Sequence, residues 1–313
     1  QSRGIRMTCV ADGKLLDFMN PMDSLTLDEL LQVWQSFIMV DDPNYTLGLP
    51  YLKKAVELGD GYSAYALGCC YEHGLGVRKS PKTAAQYYAL SADKGNANGM
   101  CALALAYRDG KGLEKDPKKA FYWYIKASEG GHGRAMDDLA VCYENGIGCE
   151  KNPHLAFNLY LRSYLHGHAL AAFHVANCCF NGIGTEVDVE TAIRFLRSGV
   201  EKQCPEAMHR LAWCHYHGDG VEKNEKMTFH LLAAAADLGH APSISDVGWC
   251  FYNGKGVEKN QKKAFQFYSR AAKLGNVPAQ ACTAWAYYSG HGAAKNLKKA
   301  VYWYEKAAEN GHA

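Results

Sequence analysis

Three tryptophans at a constant interval are the residues of this sequence best suited to molecular recognition. Trp213, Trp249 and Trp285 stand 36 residues apart and form one column of a pattern that repeats with that period. Tryptophan and arginine are the residue types most enriched at binding hot spots, because each combines a large contact area with a polar group. The column therefore predicts a surface that binds another molecule.

Further polar and aromatic residues occupy columns whose residue type changes from repeat to repeat. The predicted partner-binding residues are Arg134, Asp137, Asp138, Phe173, His174, Asn177, His209, Arg210, Trp213, His217, Asp246, Trp249, Asn253 and Trp285. In this interpretation aromatic and arginine side chains supply the affinity, and hydrogen bonds from Asn177, Asn253 and His217 set the register of a bound chain. The alternative is that the tryptophans pack against the next repeat and belong to the core.

The densest group of potential metal ligands is Cys204, His209, Cys214, His215 and His217. A zinc site needs four ligands that converge in a tetrahedron. The spacing of these five residues along a helix points them to opposite faces, so they are not expected to converge. The sequence predicts no metal site here.

The sequence also lacks the familiar patterns of catalytic residues. The repeated Gly-x-Gly motif follows a helix rather than a strand and lacks the Lys-Ser/Thr ending of a phosphate-binding loop. Asp137 and Asp138 are adjacent in the sequence, so on a helix their side chains diverge by about 100° and cannot share a substrate atom. We predict no catalytic residue and no cofactor.

The charge balance gives little information about partners. Lysine plus arginine number 34 and aspartate plus glutamate 32, which predicts neither a nucleic-acid surface nor membrane insertion. A row of lysines beside glutamates is expected to form a solvated, charge-compensated ridge. The lysines of this row are Lys79, Lys115, Lys151, Lys223, Lys259 and Lys295.

The twelve cysteines are placed as reduced thiols rather than as disulfides. Five of them share a column whose other members are alanine, and equivalent helices of neighbouring repeats lie about 10 Å apart, which exceeds the reach of a disulfide, about 7 Å between Cα atoms. This column contains Cys70, Cys142, Cys178, Cys214 and Cys250. A cytoplasmic location is predicted. The alternative is the ER lumen or secretion after removal of a signal, with Asn44 as the single glycosylation sequon.

The repeat itself is marked by two glycines two residues apart, which recur seven times. The pairs are Gly74/Gly76, Gly110/Gly112, Gly146/Gly148, Gly182/Gly184, Gly218/Gly220, Gly254/Gly256 and Gly290/Gly292. A period of 36 residues without insertions predicts one supersecondary unit stacked along an axis.

Each unit is predicted to contain two helices, A and B. Helix A carries apolar residues at spacings of three and four and ends at the first glycine of the pair. Helix B begins at a column of preferred N-cap residues, namely Ser80, Asp116, Asn152, Asp188, Asn224, Asn260 and Asn296. Helix B ends at a glycine that only Gln203 replaces. Histidines that follow this position are expected to cap the next helix A, and they are His132, His168, His240 and His312.

The predicted fold is an all-α, right-handed α-α solenoid of about seven 36-residue helix-turn-helix repeats with a degenerate N-terminal capping unit. Residues 1–47 form an N-terminal extension and capping helix, opened by Thr26 and Glu29 at capping-box spacing. Residues 48–313 form the solenoid, with units that start near 60, 96, 132, 168, 204, 240 and 276. The start of a further helix A at the C-terminus indicates that the natural protein continues.

The recurring residues resemble the Sel-1-like repeat, a relative of the tetratricopeptide repeat. The resemblance is carried by Leu67-Gly68, Tyr71, Gly74-Leu75-Gly76-Val77, Ala85, Tyr87-Tyr88, Ala92 and Gly95. It implies a helical solenoid that acts as an adaptor in signalling, ER-associated degradation or bacterial host interaction, without a shared catalytic residue. It also implies that the outward face of helix A lines the concave side of a superhelix.

The expected function is therefore a non-enzymatic scaffold that holds a protein or peptide in the concave groove of the A helices. One alternative is a regulatory or targeting module of a larger enzyme or degradation complex. A hydrolase, as proposed for some cysteine-rich relatives, requires a nucleophile beside a base, and the sequence offers none. The oligomeric state is not determined by these patterns.

Overall fold

The computed structural model describes residues 10–11, 14–15, 22–40 and 43–311. The chain divides into two compact units, Gln1–His166 and Gly167–Ala313. The predicted cap by His312 lies outside the described residues.

The first unit begins with a short antiparallel hairpin and continues with helices. Strands β1 (Val10–Ala11) and β2 (Lys14–Leu15) pair with Val10 opposite Leu15, and a 3₁₀ turn covers Met22–Ser24. The helices described in this unit are α1 (Leu27–Ile38), α2 (Tyr45–Glu57), α3 (Gly61–His73), α4 (Pro81–Asp93), α5 (Ala97–Asp109), α6 (Pro117–Glu129), α7 (Gly133–Asn145) and α8 (Pro153–Leu165).

The second unit is helical throughout its described part. Its helices are α9 (Ala169–Asn181), α10 (Val189–Glu201), α11 (Pro205–His217), α12 (Glu225–Asp237), α13 (Ala241–Asn253), α14 (Gln261–Lys273), α15 (Val277–Ser289) and α16 (Leu297–Glu309). From α3 onward, odd-numbered helices are the A helices and even-numbered helices the B helices. Consecutive A and B helices pack in pairs within each unit, which confirms the predicted all-α solenoid.

Side-chain caps fix where the B helices begin. All seven predicted N-cap residues accept a hydrogen bond from a backbone N–H of the first turn. Asn260 Oδ1, for example, accepts from Lys263 N at 2.9 Å. The capping box of α1 is present too, because Thr26 N donates to the Glu29 carboxylate at 2.8 Å. These caps satisfy amides that have no partner inside the helix.

The two glycines of the repeat have different structural roles. Gly254 ends α13 in the left-handed conformation, at φ 74°, and donates to Cys250 O at 2.8 Å. Gly256 has φ 68°, and a Cβ there would overlap the carbonyl group of Glu225 at the start of α12. The first glycine therefore supplies a backbone conformation, whereas the second lets the loop touch the preceding B helix.

A column of tyrosines in the B helices forms much of the core, except at its last member. Tyr88, Tyr124, Tyr160 and Tyr268 are buried, whereas Tyr304 is 43% exposed. The reason is that no helix of the described chain follows α16 to cover it. The A helices carry a small residue where they contact the B helices most closely. At Gly248, for example, a Cβ would lie 3.0 Å from Tyr268 Cδ1.

The two B-helix tryptophans are only partly buried. Trp123 and Trp303 each pack edge-on against the preceding tyrosine, with ring centroids 5.2 and 5.3 Å apart. The neighbouring tyrosines, Tyr122 and Tyr302, are themselves exposed.

The cysteines of the predicted thiol column are all buried. The eleven cysteines in the described part of the chain are free thiols, and eight of them are buried. Burial raises the pKa of Cys70 and of Cys204 to about 11, so both remain neutral at physiological pH. Neutral buried thiols are poor nucleophiles.

The histidine caps are confirmed in two of three described cases. His132 Nδ1 accepts from Ala135 N at 3.1 Å, and His240 Nδ1 accepts from Ser243 N at 3.4 Å. His168 occupies the N-cap position of α9 without a side-chain cap bond.

Gln203 is strained, and its replacement by glycine is expected to stabilise the protein. Its φ is 56°, in the left-handed region, whereas glycine holds this conformation at the equivalent position of the other repeats. Such a conformation costs a non-glycine residue roughly 1–2 kcal/mol, partly offset by the greater freedom of glycine in the unfolded chain. We expect Gln203→Gly to raise the free energy of unfolding by about 1 kcal/mol in urea titrations.

A matched control tests the same effect in reverse. Gly239 has φ 84°, and nothing lies within 4 Å of a Cβ placed on it. Gly239→Gln therefore adds backbone strain without a clash and is expected to lower stability by a similar amount. A Gln203→Gly variant less stable than the parent chain would contradict this explanation.

Candidate functional site

Two tryptophans and a tyrosine form a continuous aromatic cluster on the A helices of the second unit. Trp213 on α11 and Trp249 on α13 lie with ring centroids 5.8 Å apart at an interplanar angle of 44°. Tyr216 packs edge-on against both, at 5.4 Å from Trp213 and 5.3 Å from Trp249. The 36-residue period places the tryptophans side by side because it returns each to the same face of successive A helices.

The three A-helix tryptophans are neither fully exposed, as a binding surface alone would require, nor fully buried, as core residues would be. Trp213 and Trp249 are half-buried, and Trp285 on α15 is 38% exposed. Trp285 packs edge-on against Tyr252 at 5.9 Å and stacks on His291 at 4.8 Å and 15°. Each indole therefore uses part of its surface for packing and keeps part accessible.

A carboxylate holds the first tryptophan in place. His209 Nε2 lies 2.8 Å from Asp246 Oδ2, and Trp213 Nε1 donates to the same oxygen at 3.2 Å. Because an ionised carboxylate only accepts hydrogen bonds, the bond to His209 requires the tautomer with hydrogen on Nε2. Asp246 thus joins α11 to α13 and fixes the orientation of the indole.

Two of the three residues predicted to set register, His217 and Asn253, lie at the edge of this cluster. His217 is exposed and stacks on Trp213 at 5.7 Å and 23°. Asn253, also exposed, donates one amide hydrogen to Trp249 O at 3.0 Å, so its second amide hydrogen is not used by that bond. Asn177 on α9 is partly buried.

The remaining predicted residues of this unit form two separate pairs. The Arg210 guanidinium lies over the Phe180 ring at 4.7 Å. Phe173 and His174 lie beside each other on α9, with centroids 5.5 Å apart. Arg210 is therefore already engaged with an aromatic ring in this structure, and cation–π contacts of this kind hold an arginine in place.

In the first unit, the predicted residues form an ion-pair group rather than an aromatic surface. Asp138 lies 2.9 Å from Arg108 Nη1 and 3.6 Å from Arg134 Nε. Asp137 is only 3% exposed, so its predicted place on the accessible face is wrong. The reason is the rotation of about 100° per residue along α7, which directs Asp137 into the core, while the Asp138 side chain, 16% exposed, lies beside the two arginines.

Sequence reasoning missed Arg108 and the tyrosines next to the tryptophans. Arg108 pairs with Asp138 across an interval of 30 residues, the interval that also joins Glu225 to Lys255. Opposite charges at this spacing are a signal that could have revealed both pairs. Tyr216 and Tyr252 were missed because their column holds a different residue type in the early repeats.

Lysines of the predicted solvated ridge border this aromatic surface. In three successive repeats a lysine Nζ lies over the ring of a tyrosine: Lys223 over Tyr216 at 5.7 Å, Lys259 over Tyr252 at 5.7 Å and Lys295 over Tyr288 at 5.9 Å. The ridge therefore contributes positive charge along one edge of the aromatic residues. Attraction between an ammonium group and a ring face holds each lysine in this position.

An apolar cavity of about 470 Å³ opens beside Trp285. Tyr252, Trp285 and His291 form one side of it, and Phe265 and Tyr268 from α14 form another. Pockets of this size suit small ligands or single large side chains.

The residues considered as potential metal ligands make other contacts in the structure. Cys214 is buried in the core, and His215 Nδ1 lies 3.0 Å from Glu222 O. Within the described ranges, no group of three or more histidine, cysteine, aspartate or glutamate residues is arranged to hold a metal ion. In the same part of the chain, every helix is too short or too polar to cross a bilayer.

The cap residue His240 makes the stability of this region dependent on pH. Burial chiefly, and the neighbouring His209 second, lower the pKa of His240, while Glu206 and Asp246 act in the opposite direction. The two histidine rings lie 5.3 Å apart. Since an unfolded histidine titrates near 6.5, the unfolded state takes up the proton first as the pH falls. Stability is then lost below about pH 6.5 and retained above it.

We expect His240→Asn to reduce this loss. Asparagine caps the equivalent helix at Asn276, whose Oδ1 accepts from Ala279 N at 2.9 Å, so the cap is kept while the titrating group is removed. The urea midpoint should fall less between pH 7.5 and pH 5.5 in the variant than in the parent chain. Equal falls in the two proteins would show that His240 does not contribute.

Comparison with known families gives a match along most of the chain. The profile of the Sel1 repeat matches eight segments, residues 41–60, 61–96, 97–132, 133–168, 169–203, 205–240, 241–276 and 279–312. The first, shorter match corresponds to the degenerate unit expected before the seven regular repeats. A comparison with curated proteins gives no significant match.

Solved structures with the same architecture include several bacterial proteins. The protective antigen c5321 of uropathogenic Escherichia coli is 24% identical with a TM-score of 0.64, over 93% of this chain and 63% of its own. A Sel1 repeat protein from Oxalobacter formigenes gives the same identity, TM-score and coverage of this chain, over 85% of its own. The immunity protein Pa5087 from Pseudomonas aeruginosa is 23% identical with a TM-score of 0.52, over 68% of this chain and 81% of its own. These similarities show the fold alone.

Proposed function

This chain belongs to the Sel1 repeat family, whose members are generally protein-interaction scaffolds, and we propose that it binds a partner protein or peptide on the A helices of its second unit. The binding face is centred on Trp213, Trp249 and Trp285. It extends to the exposed residues His217 and Asn253 at its edge.

The aromatic cluster held by Asp246 is the observation that carries this proposal. Asp246 and Tyr216 restrict Trp213 and Trp249 through hydrogen bonds and ring contacts while both indoles stay partly accessible. Side chains that are ordered before binding lose little conformational entropy when a partner arrives. Aromatic residues of this kind are the usual anchors of protein interfaces.

The proposed role is non-enzymatic. Members of the family are typically non-catalytic, and His209, the residue with the geometry of a positioned base, shares Asp246 with the indole of Trp213. We assign this pair to the architecture of the face rather than to proton transfer. A cytoplasmic location fits buried, neutral thiols, and twelve free thiols titrated in the unreduced, denatured protein would support it.

Peptide selection on the intact chain tests the binding face. A phage library of random 12-residue peptides is selected against the protein, and the enriched peptides are measured again with a Trp213/Trp249/Trp285 triple alanine variant. We expect the variant to lose at least tenfold in affinity. Trp123→Ala, which removes a partly buried indole from a B helix of the first unit, is the matched control and should bind unchanged.

Both proteins must first be shown to remain folded by circular dichroism and urea unfolding. Peptides that bind the folded triple variant and the parent chain equally would place the interaction outside this face and contradict the proposal.

A further inference from the structure

We infer that the cavity beside Trp285 receives an aromatic side chain from an acidic segment of the partner protein. This inference rests on the proposed function, since it specifies what the same A-helix face recognises. Three observations carry it: the loss of an ion pair from the side of the cavity, the chemistry of its lining, and the charge of the segment that forms most of it.

Among the residues that differ from the preceding repeat, two remove an ion pair from the side of the cavity. There, Lys255 Nζ pairs with the Glu225 carboxylate at 3.0 Å and lies 6.0 Å from the Tyr216 ring centroid, so the lysine spans the space beside the ring. One repeat later the equivalent positions hold His291 and Gln261. Histidine is shorter, has no carboxylate to pair with, and stacks on Trp285 instead.

The lining suits a flat apolar group. Tyr252, Phe265, Tyr268 and Trp285 present ring faces and edges to the cavity, and Cys282 adds a polarisable thiol. Burial raises the pKa of Cys282, so the thiol is neutral and adds no charge. The volume of about 470 Å³ exceeds the roughly 150 Å³ that holds benzene in an engineered protein cavity, so a phenyl or indole group can enter.

The segment that forms most of the cavity is rich in basic residues. Residues 253–313 contain ten lysine or arginine residues against three acidic ones, although the whole chain has a net charge of only +2. Lys259 lies over the ring of Tyr252, which lines the cavity. One of the three acidic residues, Glu309, is already paired with Lys306 at 3.4 Å.

Charge complementarity therefore selects the partner. Carboxylates that flank an aromatic residue would face these lysines while the aromatic group fills the cavity, and such pairing raises association rates and excludes basic competitors. Single-stranded nucleic acid also combines negative charge with flat rings. The residues that line the cavity include no lysine or arginine to contact phosphates, and a single apolar cavity favours one anchored side chain over a row of stacked bases, so we commit to an acidic protein segment.

The peptide library tests this inference on the intact protein. We expect the enriched peptides to share one aromatic residue flanked by aspartate or glutamate. The double variant Gln261→Glu/His291→Lys rebuilds the ion pair of the preceding repeat across the cavity. A fluorescein-labelled copy of the most enriched peptide should bind this variant at least tenfold more weakly, with an unchanged urea midpoint.

Two further measurements separate aromatic anchoring from charge. Replacing the aromatic residue of that peptide by alanine should weaken binding to the parent chain at least tenfold. The same replacement should have little effect on binding to the Gln261→Glu/His291→Lys variant, the closed variant, because its cavity is already filled. Lys259→Glu should weaken binding several-fold and reduce its dependence on salt. A 12-nucleotide thymidine oligomer is expected not to compete.

Several results would overturn the inference. They are peptides without acidic or aromatic enrichment, failure to enrich any peptide, equal binding by the closed variant, or competition by the oligonucleotide. The failure of the wider proposal gives a different result. If the enriched peptides bind the triple tryptophan variant as well as the parent chain, the binding site is not on the A-helix face and the proposed function is wrong. If they bind the triple variant weakly but the Gln261→Glu/His291→Lys variant normally, the A-helix face binds the partner and only the inference about the cavity is wrong.

Discussion

Gly256→Ala is expected to lower the free energy of unfolding by about 3 kcal/mol, against about 1 kcal/mol for Gly254→Ala. Both glycines hold positive φ, at 68° and 74°, so the conformational cost of alanine is similar in the two. Only at Gly256 would the new Cβ also overlap a backbone carbonyl, that of Glu225, and lie 3.0 Å from Phe229 Cβ. A backbone group cannot rotate away, so the loop must separate from α12.

Urea unfolding of the two variants, monitored by far-ultraviolet circular dichroism, measures this difference. Because the same contact recurs between a loop and the preceding B helix, Gly292→Ala should reproduce the large effect, with its Cβ against the carbonyl group of Gln261. Equal losses at Gly254 and Gly256 would show that backbone conformation alone explains the pattern, and that the close approach of the loop contributes nothing.

Trp249→Ala is expected to weaken partner binding by about 2 kcal/mol, or roughly 30-fold. Trp249 is the central member of the aromatic face, in contact with Trp213 and Tyr216, and residues at the centre of an interface exclude water most completely. The substitution also removes packing, so some thermal stability should be lost with it. Isothermal titration with the most enriched peptide gives the affinity, and calorimetric unfolding gives the stability.

The matched control separates the two effects. Trp123→Ala should lower stability without changing affinity, because that indole lies on a B helix of the first unit. If Trp249→Ala behaves like the control, losing stability while binding is unchanged, Trp249 belongs to the packing of the repeats and the binding site lies elsewhere.

The architecture was predictable because each repeat encodes its own boundaries. A cap residue such as Asn260 and a terminating glycine such as Gly254 act within a few residues, so local chemistry is sufficient to place the ends of most helices. Repetition then amplifies these short signals, since one ambiguous position is resolved by its column. The strained Gln203 was visible in the same way, as the one departure from a glycine column.

The candidate site was less predictable because it depends on contacts between repeats. Asp137 was predicted on the accessible face, but the packing of α7 against its neighbours buries it. The cavity beside Trp285 lacks the ion pair of Lys255 and Glu225, whose equivalent positions hold His291 and Gln261, and no single column reveals this joint replacement. Such features require knowledge of which columns face each other.

Fluorine NMR of the protein labelled with 5-fluorotryptophan tests the central claim most directly. The chain has six tryptophans, and single substitutions assign their resonances. On titration with the most enriched peptide, we predict that the signals of Trp213, Trp249 and Trp285 shift while those of Trp34, Trp123 and Trp303 do not. Shifts confined to the second group, or none in the first at saturation, would contradict a binding face on the A helices of the second unit.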